Sequence, residues 1–308
     1  MKVLAHIHTF NDADIIDRTI EGVLRQTRPV DGILLVDNAS TDGTLDRPSV
    51  RNTTVLRHSE NLGTSGAVHS GFSFALQHGY DWIWVFDADS IPEPDALEKL
   101  LTLYSEWPSS QQNETAFLAC LARNSSDGKP IHGQIFTRHG VNVVREPLDR
   151  RWFPCHVVIW SGCLYRVAAV SQIGLPNPDY VLDVGEIEYG YQVMRAGFKG
   201  FIYQDAVMHH NIRGSASITP ARIKLGPVTL RFFDFAPIRC YYTCRNEVYF
   251  ALYEAAQARL WLVLRRTMFG LTVLVTNFLL RPRSRAQQIR ACFRGIWHGL
   301  TGNIAARY

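Results

Sequence analysis

Short, unbroken apolar runs alternate with amphipathic stretches along the first hundred residues, and that alternation predicts repeated strand–loop–helix units. Val3 to His8 reads as a first strand and Thr9-Phe10-Asn11 as a turn. Asp12 or Asp14 is then expected to cap a helix through about Gln26, in which Ile15, Ile16, Ile20, Val23 and Leu24 recur at helical spacing. Gly32 to Val36 is a second buried strand, followed by the polar, turn-rich loop Asp37 to Thr44. Thr54 to Arg57 is a third, and Asn61-Leu62-Gly63-Thr64-Ser65-Gly66 leads into a helix through about Gln77. Trp82 to Phe86, aromatic and β-branched without a polar break, reads as a strand buried on both faces, as in a mostly parallel sheet. Asp87-Ala88-Asp89 stands at its end. Ligands collect at the carboxyl ends of strands in open α/β sheets, so Asp37, Asp87 and Asp89 fall where a site is expected. Two carboxylates at a strand end can share one hard divalent cation. The expected class is α/β, beginning with a Rossmann-like nucleotide-binding half. The glycines near Gly63 do not form G-x-G-x-x-G and there is no Walker A, which excludes a dinucleotide site and a P-loop ATPase.

Farther on, Ser105 to Glu114 is a polar connector before a strand from Ala116 to Ala122, and Gly133–Phe136 with Val141–Val144 suits a hairpin over His139-Gly140. Asp183 is placed as the N-cap of a helix with Ile187, Tyr191 and Met194 on its apolar face, ended by Gly197. Asp183, Glu186 and Glu188 crowd that N-terminus, more acid than an ordinary first turn calls for. Phe201–Tyr203 and Ala206–Met208 are expected as edge strands ending at His209-His210. From about Pro220 the pattern changes to long helical runs over Val248–Arg266, Thr267–Leu280 and Arg285–Leu300.

Composition changes the picture mainly at the C-terminal end. With 308 residues and 46% hydrophobic content the chain supports one large or two ordinary domains. Its net charge of +4 is mild but uneven: after Glu254 there is no acid, while Arg259, Arg265, Arg266, Arg281, Arg283, Arg285, Arg290, Arg294 and Arg307 follow. That tail suits an anionic membrane surface, and no nucleic-acid partner is expected. Met268 to Leu280 is uncharged but too short to span a bilayer. It reads as an interfacial or core helix at anionic headgroups, with a homodimer or domain contact through the C-terminal helices as the competing reading. The six cysteines form no CxxC pair, so zinc is not expected and they read as reduced, packed thiols. The N-terminus runs straight into a strand with no signal-peptide shape, so the expected location is cytoplasmic, peripheral on the inner face of the cell membrane.

Thr9-Phe10-Asn11, Val36 to Thr44, Asn61-Leu62-Gly63 with Gly66 and Gly71, and Asp87-Ala88-Asp89 resemble, in order and spacing, the family 2 inverting glycosyltransferases of the GT-A fold. The resemblance covers about the first third of the chain. It implies that Thr9 and Asp37 lie against the base and ribose of a nucleotide-sugar, with Phe10, Asn11, Asn38, Asn61 and Gly63 beside them. It also implies that Asp87 and Asp89 hold a metal on the diphosphate. Trp160 to Arg166 resembles the family's strand carrying a small pair, here Ser161-Gly162, near donor and acceptor. Setting Glu186-Ile187-Glu188 on the family's acid-x-acid pattern makes Glu186 the general base, Asp183 the runner-up, and Glu188 an orienting or capping acid. This sequence departs from the pattern in having Glu186 where Asp is usual and Gly185 in place of an acid. The resemblance further implies that His210 rather than His209 completes the metal site, and that Arg213 meets the leaving phosphates. Two carboxylates and an imidazole suit manganese better than magnesium or calcium. The Arg-x-Tyr-Tyr-x-x-Arg-Asn segment from Arg239 and the stretch Arg294 to Gly302 resemble the bacterial rhamnosyltransferase branch. That implies a dTDP-rhamnose donor and a lipid-linked polysaccharide acceptor, with galactofuranosyl transfer from a UDP-sugar as the alternative.

The expected organisation is a catalytic domain over residues 1–219, divided at 104 into nucleotide-sugar and acceptor halves, and a helical membrane-associating or dimerising region over 220–308. A glycosidase is disfavoured, since it needs paired acids flanking a glycosidic bond rather than a nucleotide loop. A nucleotidyltransferase and a catalytically silent membrane-surface scaffold stand as competitors.

Overall fold

In the computed structural model the described residues are 1–137, 140–145, 147, 149–210, 218–225, 228–255 and 285–308. They fall into two compact units. One comprises Met1–Phe136, Val141–Pro178 and Gly185–Gly214, and the other Thr137–Gly140, Asp179–Val184 and Ser215–Tyr308.

The first unit follows the predicted alternation: β1 (Val3–Thr9), α1 (Ile16–Leu24), β2 (Gly32–Asp37), β3 (Thr54–Arg57), α2 (Gly63–Gln77) and β4 (Trp82–Asp87). Then come β5 (Ile91–Pro92), α3 (Ala96–Glu106), α4 (Ser109–Glu114), β6 (Thr115–Asn124) and the hairpin β7 (Gly133–Thr137) and β8 (Gly140–Val144). β9 (Trp152–Cys155), β10 (Cys163–Arg166), α5 (Val167–Ile173), α6 (Gly185–Arg195) and β11 (Lys199–His210) complete it. The central sheet runs β3-β2-β1-β4-β10-β6-β11-β5, with β9 also paired to β11. Its first four strands are parallel, whereas β10 is antiparallel to both β4 and β6, so the sheet as a whole is mixed. In β4, Trp82, Trp84 and Phe86 pack into one core with Ile16, Ile20 and Leu97, while Ile83 and Val85 pack into the other with Val68 and Phe72. Burial on both faces is the reason that run carries no polar residue.

Three local expectations are corrected. Helix α1 starts at Ile16 without a side-chain cap, because the Asp12 carboxylate turns back to accept from Thr9 Oγ1 at 2.8 Å and Phe10 N at 2.9 Å. The two expected edge strands are one strand, β11, which pairs with β6 on one side and with β5 and β9 on the other. A register shift between Tyr203 and Val207 takes up the polar Gln204-Asp205 that looked like a break. Finally, β12 (Ile218–Leu225) and β13 (Val228–Phe235) form an antiparallel hairpin where no strand was expected, since Pro220 and the charges at Arg222 and Lys224 mask its alternation.

His6, on β1, is fully buried, and among the described residues neither of its ring nitrogens has a hydrogen-bond partner. The ring stacks on His8 at 5.5 Å, and a Cβ at Gly71 would run into it, which accounts for a glycine on that turn of α2. Burial, reinforced by His8 and opposed by Asp87, holds the His6 pKa well below the ordinary value. The unfolded chain therefore takes up a proton below about pH 6.5 that the fold refuses, so stability is full above that pH and falls as pH drops through it. His6→Leu is expected to abolish this acid limb and to raise stability at neutral pH by about 1–3 kcal/mol, measured by thermal unfolding between pH 5 and 8. An unchanged pH slope would refute this account of His6.

In the second unit α7 (Pro237–Tyr249) continues into a π-helical turn at Phe250–Glu254 and packs on α8 (Arg285–Leu300). Gly295 and Gly299 of α8 lie against the α7 backbone, where a Cβ on Gly299 would meet Val248 Cβ at 2.8 Å. The Thr267–Leu280 helix, the charge-bracketed apolar stretch within it and most of the Val248–Arg266 run lie outside the described residues. Among the described residues no helix is long and apolar enough to cross a membrane. All six cysteines are free thiols.

Candidate functional site

Register places Thr9 beside Asp37, and His8 beside Asp87, at the carboxyl ends of β2, β1 and β4. The loops leaving β1 and β2 are zipped together. Asn11 N donates to Ser40 Oγ at 2.9 Å, Asp12 N to Thr44 Oγ1 at 2.8 Å, Ala13 N to Asp42 Oδ2 at 3.0 Å, and Thr41 N to Asn11 Oδ1 at 2.8 Å. Asn11 (φ 57°) and Ala39 (φ 63°) both sit in the left-handed region that non-glycine residues seldom adopt, strain concentrated where these loops meet. Asp37 is 0% exposed; its carboxylate accepts from Ser40 N and pairs with Arg57 Nε at 3.3 Å. The described contacts thus give Asp37 a bracing role in the loop. Asn38 bridges Gly63 O at 3.2 Å and His58 Nδ1 at 2.9 Å, and Asn61 Oδ1 accepts from Gly63 N at 2.8 Å. Phe10 projects outward and exposed.

Asp87, Asp89 and His210 come together with one ligand atom each within 4.8 Å of the others, so this donor set fits a single cation. His210 Nδ1 lies 3.8 Å from Asp87 Oδ2 and 3.7 Å from Asp89 Oδ1. His209, one residue earlier on the other side of the strand, faces Glu93 at 3.2 Å instead. A run of hydroxyls ties the corner together. Asp87 N can only donate, and does so to Ser161 Oγ at 2.8 Å; Ser161 Oγ donates to Ser90 Oγ at 2.8 Å, and Ser90 Oγ lies 2.7 Å from His210 Nδ1. The same His210 Nδ1 faces both carboxylates, and imidazole nitrogen is a common metal ligand. Gly162 (φ 80°) makes the tight turn that brings Ser161 there, a left-handed conformation that favours glycine, with Met208 and Cys120 close by.

The sequence reading missed His8. Its Nε2 lies 2.6 Å from Asp87 Oδ1, leaving Oδ2 for the cation corner. Burial works to raise the Asp87 pKa, but the His8 charge and hydrogen bond, with help from His210 and His6, outweigh it and hold the group at about 2. Asp87 is therefore ionised throughout the physiological range. The available signal was a pair of histidines at i and i+2 in an otherwise apolar strand, one sheet neighbour from Asp87. Truncating His8 to Leu leaves that carboxylate untethered and is expected to weaken manganese binding roughly 10–100-fold, with His8→Gln restoring part of it. Manganese titration of the thermal midpoint measures both; equal affinities across the three proteins would remove His8 from the site.

Glu186 and Glu188 lie in the first turn of α6. Glu188 is buried and takes a hydrogen bond from Gln192. Glu186 is half-buried, and its charge reaches Cys163, whose thiol is pushed well up mainly by burial, then by Cys155 and Cys120, with Glu186 adding to them. Cys163 opens β10, two residues after Ser161. Asp183 does not cap α6. It lies in the second unit at φ 59°, followed by Val184 at φ 68°, and accepts from Arg239 Nη2 at 2.7 Å, Arg239 Nε at 3.0 Å and Thr243 Oγ1 at 2.7 Å. Asn246 Nδ2 donates to the carbonyls of Leu182 and Asp183, and Arg245 Nη2 to that of Asp179. The motif from Arg239 to Asn246 thus clamps the loop 179–183 in a strained conformation. Arg213 lies outside the described residues.

A family model described as glycosyl transferase family 2 matches residues 5–174, more than half of the chain. The chain belongs to this family. As a family 2 glycosyltransferase it is similar to an undecaprenyl-phosphate mannosyltransferase of Micrococcus luteus, 28% identical over 73% of this chain and 79% of that one. It is 26% identical to the galactofuranosyltransferase GlfT1 of Mycobacterium tuberculosis, over 80% and 81% of the two chains. The dTDP-rhamnosyl transferase RfbF of Shigella flexneri is 23% identical over 88% and 87%. Among solved structures, S. aureus TarS 1-349 in complex with UDP-GlcNAc superposes with a TM-score of 0.57 at 14% identity, covering 99% of this chain and 88% of that chain. The fold is GT-A, as the sequence led us to expect. A glycosyltransferase of this family needs no nucleotidyl-transfer or scaffold reading, and both are set aside.

Proposed function

We propose that this glycosyltransferase is a metal-dependent, inverting enzyme that moves a sugar from a pyrimidine nucleotide-sugar to a hydroxyl of a lipid-linked glycan. The observation that carries the reading is the Asp87–Asp89–His210 corner at the carboxyl end of the parallel strands, beside the zipped loops after β1 and β2. Asp87, Asp89 and His210 would hold the divalent ion, manganese by their donor chemistry, and a bound ion supplies neutralisation of the charge that builds on the leaving diphosphate. Thr9, Asn11, Asn38 and the loop braced by Asp37 receive the base and ribose, and Ser161-Gly162 lies against the sugar. Glu186 takes the proton of the acceptor hydroxyl as its oxygen attacks the anomeric carbon, and configuration inverts because displacement is single. Asp183, clamped by Arg239 and Thr243, holds the loop 179–183 instead. For the donor, dTDP-rhamnose is favoured by RfbF, which aligns over the largest share of the chain among the relatives named; GlfT1 supports a galactofuranosyl donor as the second reading.

Thermal unfolding with dTDP-rhamnose, UDP-galactofuranose and a GDP-sugar, each with and without manganese, tests both points, because a ligand of the native state must raise the midpoint. The expected result is a manganese-dependent rise with dTDP-rhamnose. A rise only with UDP-galactofuranose moves the donor to the second reading, and no metal-dependent rise with any sugar nucleotide overturns the proposal.

A further inference from the structure

Helix α8 is bound to its own unit through one face and presents another of quite different character. Gln288, Ala291, Cys292, Gly295 and Gly299 are buried, and Gly295 approaches so near α7 that an added Cβ would lie 3.2 Å from Cys244 Cβ. That contact fixes the rotation of α8 about its axis. Pointing the opposite way, at i, i+4 and i+7, are Phe293, Trp297 and Leu300, which are 61%, 65% and 51% exposed. Tyr253, also exposed, extends the patch, its hydroxyl donating to Leu300 O at 2.8 Å. Arg290 and Arg294 are exposed along one edge of this stripe. Three large apolar side chains held outward on a packed helix are not ordinary surface.

The surrounding charge identifies what meets them. No carboxylate side chain occurs anywhere after Glu254, while nine arginines do, so an acidic partner surface is matched and a basic one repelled. Trp and Tyr beside arginine, flanking Phe and Leu, is the composition of a helix lying in the headgroup region, its aromatic rings at the interface and its guanidinium groups on lipid phosphates. We propose that the Phe293–Trp297–Leu300 face of α8, edged by Arg290 and Arg294, docks on a bilayer carrying anionic headgroups. This rests on the proposed lipid-linked acceptor only in giving that acceptor a surface to be met on. Vesicle binding is measured without donor or acceptor, so its failure leaves the glycosyl-transfer reading untouched.

The full chain is to be sedimented with phosphatidylcholine vesicles with and without phosphatidylglycerol. Binding is expected only with phosphatidylglycerol, and it should weaken as salt is raised. Arg290→Gln and Arg294→Gln are each expected to lower the partition coefficient roughly fivefold. Phe293→Ser with Trp297→Ser should lower it more than tenfold, with the thermal midpoint unchanged because both side chains are exposed. Bromine-labelled lipid should quench wild-type fluorescence more than that of Trp297→Phe. Failure of the wild type to sediment with anionic vesicles overturns the proposal, as does a double variant that binds like the wild type. A lipid-free dimer by light scattering that Phe293→Ser dissociates would likewise overturn it, assigning the face to a second copy of the chain.

Discussion

Asp87→Asn is expected to lower kcat/KM by on the order of 10³ or more while leaving the fold intact. Asparagine keeps the shape and still accepts the His8 Nε2 hydrogen bond that now spans 2.6 Å, so β4 and β1 have no reason to part. What is lost is charge. The remaining Asp89 and His210 give a cation one carboxylate and one neutral nitrogen, and the metal's stabilisation of a leaving diphosphate is worth several kcal/mol, each 1.4 kcal/mol being tenfold. The readouts are the steady-state rate over a manganese titration and the thermal midpoint with manganese alone. Both responses should vanish together. A variant with a tenfold loss or less, and a midpoint that still rises with manganese, would show that the cation sits elsewhere.

Much of this corner was legible in the sequence because it follows from local pattern. An apolar run ending in Asp-x-Asp places two carboxylates at a strand tip whatever the rest of the chain does, and the parallel half of the sheet follows from three repeats of the same unit. His8 was not legible, since its meaning depends on which strand lies beside β1, a long-range fact that a one-strand reading lacks. The same holds for the hydroxyl run Ser161–Ser90–His210, whose members are separated by 71 and 120 residues. Strain at Ala39 and Val184 left no mark either, because neither residue type advertises a positive φ.

The acids before and within α6 show what tertiary contact adds to composition. Asp183, Glu186 and Glu188 look equivalent as a cluster at a helix start, and helix-dipole stabilisation applies to all three. Their partners separate them. Arg239 grips Asp183 with two nitrogens and Thr243 adds a third bond, so its proton-accepting oxygens are already committed. Glu188 is buried against Gln192. The motif that resembles the rhamnosyltransferase branch holds the loop 179–183 through Arg239, Arg245 and Asn246.

From this division comes the second large effect. Glu186→Gln is expected to reduce kcat by about 10²–10⁴-fold, the usual contribution of a positioned base, with donor KM and the manganese-dependent midpoint little changed. Glutamine matches the carboxylate in size, and a half-buried first-turn position does not anchor the core, so stability should hold. Asp183→Asn should do the reverse: losing the ion pair with Arg239 lowers the thermal midpoint, and any fall in rate tracks the unfolded fraction. A chemical rescue separates base catalysis from positioning. Azide attacks as an anion and has no proton to give up, so sugar transfer to azide should proceed in Glu186→Gln at a rate near that of the wild type. If instead azide transfer is as slow as transfer to the natural hydroxyl, Glu186 positions donor or acceptor rather than accepting the proton. If Asp183→Asn is the variant that azide rescues, the base is Asp183.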